Sequence, residues 1–233
     1  MNLAVLDPHD PEFPSPSASL DEPDGLLAVG GNLKPTTLLS AYGRGIFPLY
    51  QDDDPILWWS PIERCVIRPD NFYISTRLRR QLRQARYQIK SDTAFSDVIS
   101  ACAEPRGDGG TWITPEMIDA YTQLHECGDA HCVEVWDGPW LVGGIYGVQV
   151  GGLFCGESMF SRVNNGSKIA VAHLLRWMNA AGLDMLDCQL SNPHLLSLGA
   201  QTMQRDMFLH DLSTARKKTC PWSFNDFSFD SWT

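Results

Sequence analysis

Two short strings in this sequence carry side chains that could hold an amine or handle a proton. The first is Asp187-Cys188-Gln189, which ends the apolar run DMLDCQ (184–189). Read as a strand, residues two apart face the same way, so Asp187 and Gln189 share a side and Cys188 takes the other. An acid beside a primary amide polarises or positions it, leaving the carbonyl to accept from an amine. That arrangement orients a nucleophile and is not a strong base. The second string is GGLFCGESMFSR (151–162), where Glu157 stands among Phe154, Met159 and Phe160. A carboxylate in such company either pairs with a cation, here Arg162 or Lys168, or has a raised pKa. The glycines flanking this strand let a ligand or another backbone come close.

The chain has 233 residues, 18 basic and 28 acidic, for a formal charge of −10. Taken whole, that charge argues against a nucleic-acid partner. Its distribution does not: residues 1–62 carry −7, residues 63–90 carry +6 and residues 91–233 carry −9. Arg77, Arg79, Arg80, Arg83, Arg86 and Lys90 lie in a stretch without an acid. On a helix, Arg79, Arg83 and Arg86 share a face with Arg80 beside it, and they repel one another. A polyanion would offset that repulsion. A solvated face paired with the protein's own acids is the plainer alternative.

Other signals are weaker. Trp58-Trp59 and Trp112 could stack bases beside a basic surface, or fill a core. His125, Cys127, His131 and Cys132 crowd together, but they straddle a helix end and a strand start and lack a second ligand pair at zinc-site spacing. Cys155 has no identifiable histidine partner as a nucleophile. Seven scattered cysteines point to a reduced, cytoplasmic protein. No secretory signal is visible and no apolar run approaches the ~20 residues of a membrane span.

The elements that must position these groups can be read coarsely. Residues 7–24 are too rich in proline and acid for a helix or a central strand, and form either a flexible arm or an irregular segment pinned by Phe13 and Leu20. Helices are expected over 34–43, 75–87 (capped by Ser75 or Thr76), 93–104, 114–127 (Thr114 cap, Pro115 first) and 167–181, with short ones near 193–200 and 206–216. Strands are expected over 63–68, 131–137, 140–150, 151–158 and 184–189, with Asp137-Gly138 as a hairpin turn. The order strand, strand, strand, helix, strand gives an α+β class with a mixed sheet. No regular structure is expected after Cys220.

Taken together, FPSP (13–16), GLLAVGGNL (25–33), AYGRGIFP (41–48), ILWWSP (56–61), GTWIT (110–114), LVGGIYGV (141–148), LFCGESMFSR (153–162), DCQ (187–189) and HLLSLGA (194–200) closely resemble one family, the bacterial leucyl/phenylalanyl-tRNA–protein transferases. The resemblance implies a small N-terminal domain (1–62) and a catalytic domain like the GNAT acyltransferases (63–233), without a coenzyme A loop. It implies transfer of Leu or Phe, and less readily Met, from aminoacyl-tRNA to proteins beginning with Arg or Lys, marking them for degradation. No cofactor, metal or membrane is implied. Gln189 would accept from the attacking amine, Asp187 would position it, and Glu157 would hold the cationic acceptor. Ile145, Phe154, Met159, Leu174, Met178 and Leu186 would line the donor pocket, and Trp112 would border the pocket or the terminal adenosine. Arg77, Arg79, Arg80, Arg83 and Arg86 would meet tRNA phosphates. Two departures stand out: Leu49 and Tyr50 where the family has a tryptophan after GIFP, and Gly166 where it has alanine.

Overall fold

The computed structural model describes residues 3–105, 111–229 and 232; Gly110 of the GTWIT string lies outside them. A four-stranded sheet comes first. It is built from β1 (Ala4–Leu6), β2 (Leu26–Gly30), β3 (Phe47–Pro48) and β4 (Leu57–Trp59), in the order β1-β2-β4-β3. Helix α1 (Pro35–Tyr42) lies between β2 and β3. The proline-rich segment forms only a short 3-10 turn at Pro16–Ala18. It is pinned where Phe13 packs edge-on against the buried ring of Trp58, 4.7 Å away.

The seven-stranded sheet follows, in the order β11-β5-β10-β9-β8-β7-β6. Its strands are β5 (Glu63–Ile67), β6 (Gln88–Ser91), β7 (Ala130–Asp137), β8 (Trp140–Val150), β9 (Leu153–Ser161), β10 (Met185–Gln189) and β11 (Gln201–Gln204). The helices are α2 (Thr76–Arg83), α3 (Phe95–Ala103), α4 (Pro115–Glu126), α5 (Gly166–Ala181), α6 (Pro193–Leu196) and α7 (Arg205–Ala215). In this sheet the pairings are antiparallel except β9 with β10, which α5 connects. The chain is α+β, as expected.

Side chains alternating along the strands feed two cores. Tyr146 and Val148 of β8 pack with α3 and α4 on one face. Ile145 packs with α5 and α2 on the other. The first turn of α5 lies directly on β8. A side chain at Gly143 would meet the Gly166 backbone at 2.6 Å, and one at Gly166 would meet the Val142 carbonyl at 2.7 Å. The glycine at 166 thus goes with a backbone-to-backbone contact.

Six strands depart from expectation: β1, β2, β3 and β4 of the smaller sheet, and β6 and β11 at the edges of the larger one, where QIKS and QTMQ lack apolar alternation. Pairing with a neighbour, not local pattern, makes them strands. Helix α2 is capped by Ser75 as expected but stops at Arg83, because the chain turns at Ala85 (φ 45°) to enter β6.

Candidate active site at two adjacent bulges

Strands β9 and β10 run in register from Met185 opposite Leu153 to Asp187 opposite Cys155. Beyond that point both are irregular. In β9, Tyr146 and Gly147 of β8 pair with Ser158 and Gly156, so Glu157 is an inserted residue. In β10, Asp187 and Gln189 pair with consecutive residues of β5, so Cys188 is inserted. Two bulges side by side re-aim side chains and end the ladder. A cavity of about 270 Å³ opens there, lined among others by Glu157, Met159, Leu186, Cys188 and Gln189.

The β10 bulge overturns one expectation. Asp187 and Gln189 do not share a face. Gln189 has φ 61°, in the left-handed region, and turns to the cavity beside Cys188, whereas Asp187 is fully buried beneath. Asp187 accepts from Arg64 through both oxygens, Nε at 2.8 Å and Nη2 at 2.7 Å. Its Oδ1 also accepts from the Gln189 backbone N–H at 2.9 Å. It therefore positions Gln189 through the main chain and does not polarise the amide. The bond helps to hold a backbone conformation uncommon outside glycine.

Glu157 is buried, and neither Arg162 nor Lys168 reaches it. Arg162 pairs with Glu104, and Lys168 meets Ser197. Glu157 instead accepts from Gln189 Nε2 at 2.7 Å and from the Tyr121 hydroxyl at 2.9 Å. Tyr121 in turn shares a hydrogen bond with Tyr42 of α1. Burial pushes the Glu157 carboxyl up to about 7, against the lowering effect of its hydrogen bonds to Tyr42, Tyr121 and Gln189. With Nε2 on Glu157, the Gln189 carbonyl oxygen is left to accept from a ligand.

Of the expected pocket residues, Trp112, Ile145, Met159 and Leu186 line the cavity. Phe154, Leu174 and Met178 do not. Phe154 stacks on Trp222 (5.6 Å) of the C-terminal segment, which packs against Trp177 of α5. Leu174 and Met178 are fully buried in the core beneath. Only Val171 of α5 reaches the cavity, together with Phe47, Pro48 and Leu49 from the smaller sheet's side. Tyr50 is no substitute for a rim tryptophan: it is buried, with its hydroxyl on Glu116.

Arg64, Tyr42 and Tyr121 were not foreseen as site residues. Arg64 lies in the basic stretch of the sequence, yet it is buried between the rings of Phe47 (4.7 Å) and Phe208 (4.6 Å). The remaining bases divide. Arg68 pairs with Asp211, and Arg86, which lies beyond the end of α2, pairs with Asp137. Arg77, Arg80 and Arg83 are exposed on α2, with Arg79 half-buried, while Leu78 and Leu82 anchor the helix to the core. Arg83 donates to the Trp232 carbonyl at 2.7 Å.

Of the crowded His and Cys residues, both histidines and Cys132, which donates to Glu134, are occupied otherwise, and Cys127 is exposed. His125 meets the Ala130 carbonyl and stacks on Phe95, and His131 meets Asp92. Burial raises the Cys155 thiol well above its ordinary value. No helix among the described residues is long and apolar enough to cross a membrane.

Comparison with known proteins bears on the family of the chain as a whole. The family described as leucyl/phenylalanyl-tRNA protein transferase matches residues 66–213, and its N-terminal domain matches residues 31–62. A leucyl/phenylalanyl-tRNA–protein transferase of Aromatoleum aromaticum is 54% identical over 87% of this chain and 86% of its own. One from Xanthomonas campestris is 53% identical over 91% of this chain and 86% of its own. Among solved structures, L-PGS from Bacillus licheniformis aligns loosely, with a TM-score of 0.36 and 15% identity over 71% of this chain and 53% of that one. By its motifs and its relatives, the chain belongs to the leucyl/phenylalanyl-tRNA–protein transferase family, a family of aminoacyltransferases.

Proposed function

We propose that this protein moves Leu or Phe from the 3′ end of its tRNA to the α-amine of a protein beginning with Arg or Lys. The observation that carries the reading is the Gln189–Glu157 pair at the mouth of a cavity sized for one side chain. At about 270 Å³ it sits at the small end of ligand sites, too small for a nucleotide and suited to an apolar side chain. Met159 gives its wall a flexible thioether that adapts to both Leu and Phe.

The reaction is aminolysis of an activated ester, so positioning supplies much of the rate. The Gln189 carbonyl oxygen accepts from the α-amine and aims its lone pair at the ester carbon. The new C–N bond forms, the ester C–O bond breaks, and the proton lost by the amine returns to the departing ribose oxygen. Glu157 holds Gln189 by its amide nitrogen and offers negative charge to the cationic acceptor. Trp112 borders the pocket where the terminal nucleotide approaches. Arg77, Arg79, Arg80 and Arg83 meet acceptor-stem phosphates without reading bases. Arg86 belongs to this surface only where phosphate displaces Asp137. The chain works where charged tRNA is found, in the cytoplasm, and residues 1–62 form a separate domain that closes one side of the pocket.

The test is a transfer assay with purified protein, radiolabelled Leu-tRNA and a protein beginning with Arg. Ribonuclease-sensitive transfer that needs no coenzyme A is expected. Binding without transfer would make the chain a carrier of tRNA or N-termini, and transfer requiring coenzyme A would make it an acetyltransferase relative.

A further inference from the structure

Cys65 and Cys188 meet across β5 and β10. Cys65 is fully buried and stands opposite Gln189 in the strand register. Cys188 is the inserted residue of the β10 bulge, half-buried and in the cavity wall. Cys188 packs against the buried cluster that contains Cys65, and each thiol shifts the titration of the other, downward for Cys65 and upward for Cys188. One sulfur is therefore open to a small molecule in the cavity, and a second lies within reach behind it.

We propose that Cys65 and Cys188 form a reversible disulfide, with peroxide as the oxidant, that switches the neighbouring site off. Hydrogen peroxide entering the cavity oxidises the Cys188 sulfur to the sulfenic acid; the O–O bond breaks and one water leaves. The Cys65 sulfur then attacks it, the S–S bond forms, and the expelled hydroxide leaves as water with the Cys65 proton. Two thiols and one peroxide give one disulfide and two waters. The neighbouring Cys188 lowers the pKa of Cys65, against its burial, which suits Cys65 to the attacking role; Cys188, whose own pKa Cys65 and burial raise, is the first target through its access to the cavity and not through thiolate character. A dithiol reductant reverses the reaction.

The bond would draw Cys188 towards β5. Gln189 follows it in the chain, at φ 61°, and donates its backbone N–H to the Asp187 carboxylate. Its amide would then be pulled from Glu157. This consequence rests on the role given above to Gln189, whereas formation of the disulfide does not.

The experiment uses the full chain with Cys127→Ser and Cys220→Ser, which removes two more accessible thiols. Peroxide treatment should make it about 2 Da lighter, with a Cys65–Cys188 peptide cross-link on mapping. Transfer activity should fall by roughly tenfold or more and return with dithiothreitol. Adding Cys65→Ala, or Cys65→Ser should the alanine fail to fold, should keep basal transfer and abolish the cross-link. A different cysteine pairing, no cross-link, or a cross-link with unchanged activity overturns the proposal. Absence of transfer in the reduced protein would overturn the function and leave the cross-link to be judged by mass alone.

Discussion

Asp187 and Glu157 are acids on adjacent strands of one sheet, both buried, and they are handled in opposite ways. Asp187 meets a guanidinium through both oxygens, and two aromatic rings cover that guanidinium. Glu157 is hydrogen-bonded to an amide and hydroxyls, forms no ion pair among the described residues, and its pKa rises to about 7. The first arrangement is structural, because a fully paired carboxylate has little left to give a ligand. The second leaves a group whose charge a cationic substrate would stabilise. The exposed arginines of α2, Arg77, Arg80 and Arg83, are a third case, lying at the surface where their charge is available to a polyanion.

The contrast can be broken from the Asp187 side first. Arg64→Leu leaves Asp187 buried without its cation and should cost about 3–5 kcal/mol in chemical denaturation. Arg64→Leu with Asp187→Leu should recover much of that loss. If the single change is silent, Asp187 is not the structural member of the pair.

Glu157 should behave with the opposite sign. Its folded-state value of about 7 lies above the ordinary 4.5, so between those pH values the folded chain keeps a proton that the unfolded chain has lost. Its contribution is fully present below about 4.5 and is lost as pH rises through 7. The span is worth up to about 3 kcal/mol. Glu157→Gln should flatten that slope in denaturation curves taken across the window.

Gln189→Ala should lower kcat roughly a hundredfold while leaving aminoacyl-tRNA affinity unchanged, a split that single-turnover measurements resolve. Full turnover in this variant would remove Gln189 from the chemistry. The smallest effect belongs to the surface. Arg80→Glu with Arg83→Glu should weaken binding by about tenfold, equally for Leu- and Phe-tRNA, and make it less salt-dependent. Unequal losses would mean that the surface reads more than phosphate.

Much of this site was legible in the sequence, because Glu157 and the DCQ string stand out as polar residues in apolar strands. Helices α4 and α5 were legible for a similar reason. Thr114 caps α4 by accepting from the Met117 N–H, and Gly182 closes α5 at φ 78°. The bulges were not legible, since one inserted residue leaves the apolar pattern intact while turning Gln189 to another face. Arg64 was hidden in a basic stretch, because its partner lies 123 residues away and only the β5–β10 pairing joins them. Leu174 and Met178 have the right spacing for a wall, yet spacing alone does not say how far along α5 the cavity extends.

The hydrogen bond between Tyr42 and Tyr121 joins helix α1 to the partner of Glu157, and Phe47 from the smaller sheet covers Arg64. The two sheets are therefore not interchangeable cassettes. A chimera taking its first 62 residues from one relative and the remainder from another inherits a working site only if both contacts are inherited as matched pairs. Recombination within this gene is constrained at that seam, although the chain crosses it by a short connection from Trp59 to Glu63.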